Sequence, residues 1–186
     1  MIQRIQSFYL VLAVCAIALC FIFPVATFEA TGADVDTHVV SQLYLRPRSD
    51  AGEADVMRQV EMGESLVTLP QRVVGTATWP LALVAAVAGV LALVSIFLFK
   101  NRMRQVRVVA CAFLLNVVYL FVLFIGTVDS FADQVTRLCV QFQTTNVSST
   151  YSVATWAAVA SLLLLFLAQR SIKRDEAKVR AADRLR

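Results

Sequence analysis

The chain has 186 residues, 59% of them apolar and only 16% charged, with a formal charge of +4 at neutral pH. Soluble domains average about 45–50% apolar and about 25% charged residues, so a mean hydropathy of +0.70 excludes an ordinary soluble fold and points to a polytopic membrane protein. One histidine, four cysteines and six glycines leave little material for metal, redox or phosphate-loop constellations. The basic excess flanks apolar runs instead of forming a nucleic-acid surface.

Four apolar stretches carry the hydropathy, at about 7–28, 79–99, 108–128 and 151–168, and none has a charged residue or histidine in its interior. A helix needs roughly 20 residues to cross a hydrocarbon core of about 30 Å, and in lipid the backbone must satisfy its own hydrogen bonds. Four transmembrane helices follow as the expectation. The first could be a cleaved signal peptide, with Ala30-Thr31-Gly32 as the processing site, but it is longer than a signal core of 7–15 residues, which favours a retained helix. Pro24 removes a backbone donor and is placed to bend or end its outer turn. Trp79-Pro80 suits a helix start, because proline at the first helical position loses no needed bond.

Charge sets the orientation. Arg4, Lys100, Arg102, Arg104 and Arg107 lie on one side with Arg170, Lys173, Arg174, Lys178, Arg180, Arg184 and Arg186, which is twelve of the 17 basic residues. The positive-inside rule then places both termini in the cytoplasm, with a short basic loop at 100–107 and a basic tail at 169–186. Trp79 and Tyr151 fall at the outer boundary and Tyr9 near the inner one, where amphipathic rings are favoured.

Two loops lie outside, at 29–78 and 129–150. In 37–45, Val39, Leu43 and Leu45 share one face and Val40 and Tyr44 the other; Arg46-Pro47-Arg48-Ser49-Asp50-Ala51-Gly52 is turn chemistry. Residues 56–62 alternate as a strand, with a short helix as the alternative, and 65–69 form another short strand stopped by Pro70. In the second loop Leu138, Val140 and Phe142 alternate with Cys139, Gln141 and Gln143, which predicts a strand there. It has no partner within its own loop, so the two loops are expected to share one small sheet over the outer helix ends. The alternative is two irregular loops, since neither buries enough surface to fold by itself.

The opening Met1-Ile-Gln-Arg-Ile-Gln-Ser-Phe-Tyr-Leu, the Phe97-Leu-Phe-Lys-Asn-Arg after the second helix and the closing Ile172-Lys-Arg-Asp-Glu-Ala-Lys-Val-Arg-Ala-Ala-Asp-Arg-Leu-Arg resemble DUF4293. That is a family of four-helix membrane proteins of unknown function from Bacteroidota. The resemblance spans the chain and implies a retained first helix and a bacterial inner-membrane location. It supplies no catalytic or binding residues.

Candidate chemistry is sparse. Cys15, Cys20 and Cys111 lie within helices and Cys139 outside, so the paired outer thiols that a membrane thiol oxidase needs are missing; apolar cysteines usually serve as small hydrophobes. Cys139 is expected as a free thiol, with an intermolecular disulfide as the alternative in an oxidising compartment. His38 with Asp34 and Asp36 hints at a divalent cation, yet no ligand pattern supports a metal site. Ion paths are normally marked by intramembrane charge, and the strongest polar groups inside are Asn116 and Tyr119, three residues apart on one helix face. A bond from Asn116 across to a neighbouring helix is favoured over a pore or ligand contact. Small residues stripe the second helix (Ala82, Ala86, Gly89, and Ala85 with Gly89) and the fourth (Ala154 with Ala158, Ala157 with Ser161), which permits close helix approach.

The tail carries Glu176 and Arg180 at helical i,i+4 spacing and places Ile172, Val179 and Ala182 near one face, so the fourth helix is expected to continue past the bilayer. Its Ala181-Ala-Asp-Arg-Leu-Arg ending makes Asp183, Arg184 and Arg186 the candidate partner contacts. The sequence thus predicts an all-α membrane bundle of four transmembrane helices with a small β-containing extracytoplasmic cap. The expected role is non-enzymatic, an accessory or scaffolding subunit of an inner-membrane envelope assembly with no cofactor. A small-molecule or lipid transporter is the alternative. The partners are the lipid bilayer and a membrane protein or second copy of the chain, without nucleic acid.

Overall fold

The structure, a computed structural model, describes residues 3–32, 38–46, 58–59, 66–75, 77–98, 101–141 and 144–184. In chain order these form helix α1 (Gln3–Ile22), strands β1 (Ala26–Gly32), β2 (His38–Leu43) and β3 (Leu66–Leu69), the short helix α2 (Gln71–Val74), helices α3 (Trp79–Phe97) and α4 (Arg102–Phe121), a π-helical segment (Val122–Val128), helix α5 (Asp129–Gln141), strand β4 (Thr144–Tyr151) and helix α6 (Val153–Arg184). They divide into two compact units. One, the bundle, comprises Met1–Leu19, Leu83–Leu120 and Ala157–Arg186; the other, the sheet unit, comprises Cys20–Ala82 and Phe121–Trp156.

Every long helix buries residues at alternating steps of four and three. In α1 these are Gln6, Leu10, Ala13, Ile17 and Cys20; in α3, Leu81, Ala85, Ala88, Ala92 and Ser95; in α6, Ala154, Ala158, Ser161, Leu165, Ala168, Ile172 and Asp175. In α4 they are Gln105, Val109, Ala112, Asn116 and Tyr119. A repeat of 3.5 residues keeps one seam facing its neighbours and winds helices left-handedly around each other. Leu10, Ala13, Ala92, Val109, Ala112, Leu165, Ala168 and Ile172 accordingly make one cluster drawn from all four helices of the bundle. Helices α1 and α3 pack closely there: a Cβ added at Gly89 would sit 3.2 Å from Ile17 Cγ2. The buried seam of α3 runs through Ala85, Ala88 and Ala92, whereas Ala86 of the expected stripe is exposed.

The outward faces are as apolar as the seam. Val90, Leu114, Val118, Leu163 and Phe166 are all about half exposed or more. Three helical stretches are long and apolar enough to cross a membrane, Trp79–Phe97, Met103–Leu138 and Val153–Ala177, and α1 contributes a shorter apolar stretch, Gln6–Ile22. Helices that are hydrophobic all round belong in a large core or in lipid.

The π-helical segment interrupts the longest of these stretches. After Leu123 the next buried residue is Val128, followed by Phe131 and Val135. Leu123 to Phe131 spans eight residues where the four-three repeat spans seven, and that extra residue would turn an α-helix about 100° out of phase. The wider π turn absorbs the extra residue, so the buried stripe resumes without a break in the helix. The Thr127 hydroxyl donates to the Val122 carbonyl across this turn, at 3.3 Å.

Two expectations about the loops are corrected. Residues 23–28 do not continue the first helix. Pro24 stops it, and 26–30 alternates apolar and polar residues as β1, burying Ala26, Phe28 and Ala30. The strand expected over 138–142 is absent: Leu138–Gln141 is the last turn of α5, Phe142 and Gln143 lie outside the described residues, and the strand follows at Thr144–Tyr151. The alternation there is a helical one, in which Phe131 and Val135 carry the buried face. Residues 56–62 lie largely outside the described residues.

The sheet order is β3-β2-β1-β4, so the first loop and the second share one sheet. β1 pairs antiparallel with both β2 and β4, and β2 pairs parallel with β3. One face buries Phe28, Val39, Ser41, Leu43, Val67 and Leu69, and Phe131 of α5 packs on Phe28 with ring centroids 5.0 Å apart. The opposite face exposes Glu29, Gln42, Thr68, Ser148 and Thr150.

Candidate functional site

The seam of the bundle ends in a polar layer. Gln6 lies one turn before Leu10, Gln105 one turn before Val109, Ser95 one turn after Ala92 and Asp175 one turn after Ile172. Leu10, Val109, Ala92 and Ile172 belong to a single cluster, so all four helices place a polar residue at the same end of the core. All four side chains are at least nine-tenths buried.

The groups in this layer are paired. The Gln6 amide donates to Asp175 Oδ2, linking α1 to α6. Gln105 Nε2 donates to the Ser95 carbonyl at 3.1 Å, and Ser95 Oγ donates to the Ala92 carbonyl at 2.6 Å. The second bond is intrahelical, while the first joins α3 to α4. A buried polar group left without a partner costs about 1–3 kcal/mol, so a bundle packed in another register would strand these side chains. The layer can therefore fix helix register, the best-attested use of polar residues at seam positions.

Asn116 and Tyr119 are both buried on the seam of α4. Asn116 Nδ2 donates to Ser161 Oγ of α6 at 2.8 Å, and Ser161 Oγ in turn donates to the Ala158 carbonyl at 2.7 Å. Among the described residues no donor reaches Asn116 Oδ1. Phe113 and Phe166 meet at 6.2 Å between the same two helices.

In the sheet unit, Gln71 joins separate segments. Its Oε1 accepts the Tyr44 N–H at 3.0 Å, and its Nε2 donates to the Tyr44 carbonyl at 3.0 Å and to Thr78 Oγ1 at 3.2 Å. The Val25 carbonyl accepts from Ser152 N–H and from Thr155 Oγ1, at 2.9 and 2.7 Å. Those bonds tie the entry to β1 to the start of α6.

Of the other expected site residues, Asp183 and Arg184 occupy the last positions of α6. Their side chains, and all of Arg186, lie outside the described residues. Helix α6 does continue well beyond the expected end of the fourth apolar segment. Cys15 and Cys111 are exposed thiols, and the buried Cys20 thiol donates to the Ala154 carbonyl at 3.4 Å; Cys139 is on α5, not on a strand, and its side chain is outside the described residues. His38 is exposed on β2, while Asp34 and Asp36 are not described. Among the described residues no three metal-ligating side chains gather. The sequence reading missed the polar layer, placing Asp175 in the basic cytoplasmic tail. The signal was present, because continuing the four-three step past Ile172 lands on Asp175.

A seam-packed helical bundle with apolar outer faces, three stretches able to cross a membrane and a small mixed sheet defines the class of the protein: helical, membrane-type and sheet-bearing. The chain belongs to DUF4293, a domain of unknown function whose family model matches residues 2–185. No curated protein matches it.

Proposed function

We propose that this protein is an integral protein of the bacterial inner membrane, with four spanning helices and both termini in the cytoplasm, and that it acts as a non-enzymatic accessory or scaffolding subunit of an envelope assembly. The observation that carries this reading is how the bundle uses its buried polar groups. Gln6 is bonded to Asp175, Gln105 to Ser95 and Asn116 to Ser161, so each joins one helix to another. The basic residues at 100–107, where Arg102, Arg104 and Arg107 begin α4 in place of the expected loop, and the basic end of α6 support the orientation. The fourth span is α1, whose apolar stretch Gln6–Ile22 falls at the short end of the length that crosses a hydrocarbon core of about 30 Å.

A transporter of small molecules or lipids is the second reading. It is favoured by the free acceptor at Asn116 Oδ1, which a polar solute or water could engage.

Purification in mild detergent at native expression, with identification of co-purifying proteins, tests the scaffold. A reproducible envelope partner is expected, and repeated recovery of the protein alone counts against the reading. For topology, single cysteines replace Lys100 and Asp50 after removal of the native thiols. An impermeant thiol reagent on intact cells is expected to label position 50 and spare position 100. The reverse pattern inverts the orientation.

A further inference from the structure

The two edges of the sheet differ. The β3 edge is four residues long, and the side chain of Gln59 covers it: Gln59 Oε1 accepts the Thr68 N–H at 3.1 Å. The β4 edge is eight residues long, Thr144–Tyr151, and among the described residues nothing pairs with its outer side. Its sequence, Thr-Thr-Asn-Val-Ser-Ser-Thr-Tyr, carries no charge, proline or glycine. Proteins usually blunt an open edge with lysine, proline, a bulge or a cover, because the free N–H and C=O groups recruit another strand. β4 has one irregularity, at its far end opposite Gly32, and is otherwise a regular ladder of six paired residues along β1. Ser148, Ser149, Thr150 and Tyr151 are exposed.

We propose that β4 is a dimerisation edge, pairing antiparallel with β4 of a second copy of this chain to give one continuous eight-stranded sheet. The edge specifies the chemistry of its occupant, an extended backbone without charge. β4 itself meets that requirement. An antiparallel self-pairing centred on Val147 sets Thr144 against Thr150, Thr145 against Ser149 and Asn146 against Ser148, with no like-charge contact at any position. Threonine and serine pairs of this kind are favourable across antiparallel strands. The contact is isologous, so it closes at two copies and does not propagate into a filament. The proposal does not depend on which assembly the protein serves.

The test uses the full chain in membranes, with Cys15, Cys20, Cys111 and Cys139 replaced and single cysteines placed in turn at 146–150 and, as a control on an interior strand, at Gln42. Mild oxidation is expected to give disulfide-linked dimers that peak at one or two β4 positions and are at least tenfold weaker at position 42. Ser148→Lys sets like charges near each other across the pair and is expected to weaken dimerisation by at least tenfold in detergent, while Ser148→Thr leaves it unchanged. Three results overturn the proposal: no β4 position cross-links above the Gln42 control, the β4 cysteines cross-link to a different protein, or β4 amides are protected from exchange in a chain that remains monomeric. The last would mean that the chain covers its own edge.

Discussion

The bundle holds its helices together largely through alanine. Ala13, Ala88, Ala92, Ala112 and Ala168 are all buried in its seam, and small side chains let backbones approach where lipid supplies no hydrophobic drive. The sheet unit does the opposite, concentrating its packing in a few large side chains, with Phe28 and Phe131 at its centre, both fully buried. In the bundle, cohesion is spread over many weak contacts and polar pairs select the register. In the sheet unit the Phe28–Phe131 contact sits among large buried aliphatic side chains such as Leu43, Leu45 and Leu69. The two regions should therefore fail differently when cut.

The largest effect is expected at the π-helical segment. Inserting one alanine after Gly126 makes the step from Leu123 to Val128 six residues, which rotates Phe131 and Val135 off the buried face by about 100°. Proteolytic resistance of the sheet unit should be lost. Deleting Gly126 restores the seven-residue spacing of the buried face between Leu123 and Phe131, keeps Phe131 and Val135 buried and should leave the protein folded. Equal damage from both changes would refute this account of the segment. The next largest is Phe131→Ala, expected to cost the sheet unit about 3–5 kcal/mol, the usual price of truncating a buried phenylalanine. Ala112→Gly in the bundle should cost only about 1 kcal/mol, close to its helix-propensity term. Thermal melts in detergent with a separate probe on each unit would measure both; similar losses would erase the contrast.

Much of this architecture was legible in the sequence, and the parts that were not have physical reasons. The helices α3, α4 and α6 stood out because uninterrupted apolar runs have few other readings. β2 and β3 were visible as period-two alternation, and Pro70 ends β3 as expected. β1 was hidden because Ala26, Phe28 and Ala30 follow directly on an apolar helix, so hydropathy runs on while the backbone changes. β4 was hidden for the contrary reason, since a Ser/Thr-rich strand with an open face has almost no apolar signal. The strand expected at 138–142 arose from a short window in which alternation and a helical stripe look alike, and a longer window including Phe131 and Val135 separates them. The polar layer was missed because charge was read by position along the chain; Asp175 belongs to the seam, not the tail.

The polar layer offers a sharper test of what holds the bundle in register. Asp175→Ala leaves the Gln6 amide buried without its acceptor and should cost about 1–3 kcal/mol. Changing both, Gln6→Leu with Asp175→Leu, removes both polar partners and should recover most of that loss, because well-packed apolar residues often replace a buried polar pair at no net cost. If the pair sets register, the double variant should be stable yet pack less uniquely, seen as broadened amide resonances in detergent micelles. A double variant that is both stable and sharply packed would assign the pair to stability alone.

The smallest expected effect is at Asn116, and it bears most directly on function. Replacing it with alanine removes the bond to Ser161 but also removes an acceptor that no donor among the described residues reaches, so loss and relief partly cancel. Hydrogen bonds between membrane helices average about 0.6 kcal/mol, and Asn116→Ala should lower bundle stability by about that amount or less. Under the scaffold reading, partner recovery is then unchanged, because the side chain only joins α4 to α6. Under the transport reading the same variant abolishes a solute contact, and any phenotype of the gene should follow it even though folding is almost untouched. A near-native protein without function would move Asn116 from a helix-joining residue to a ligand-binding one. A near-native protein with full function would leave its contact with Ser161 as its whole role.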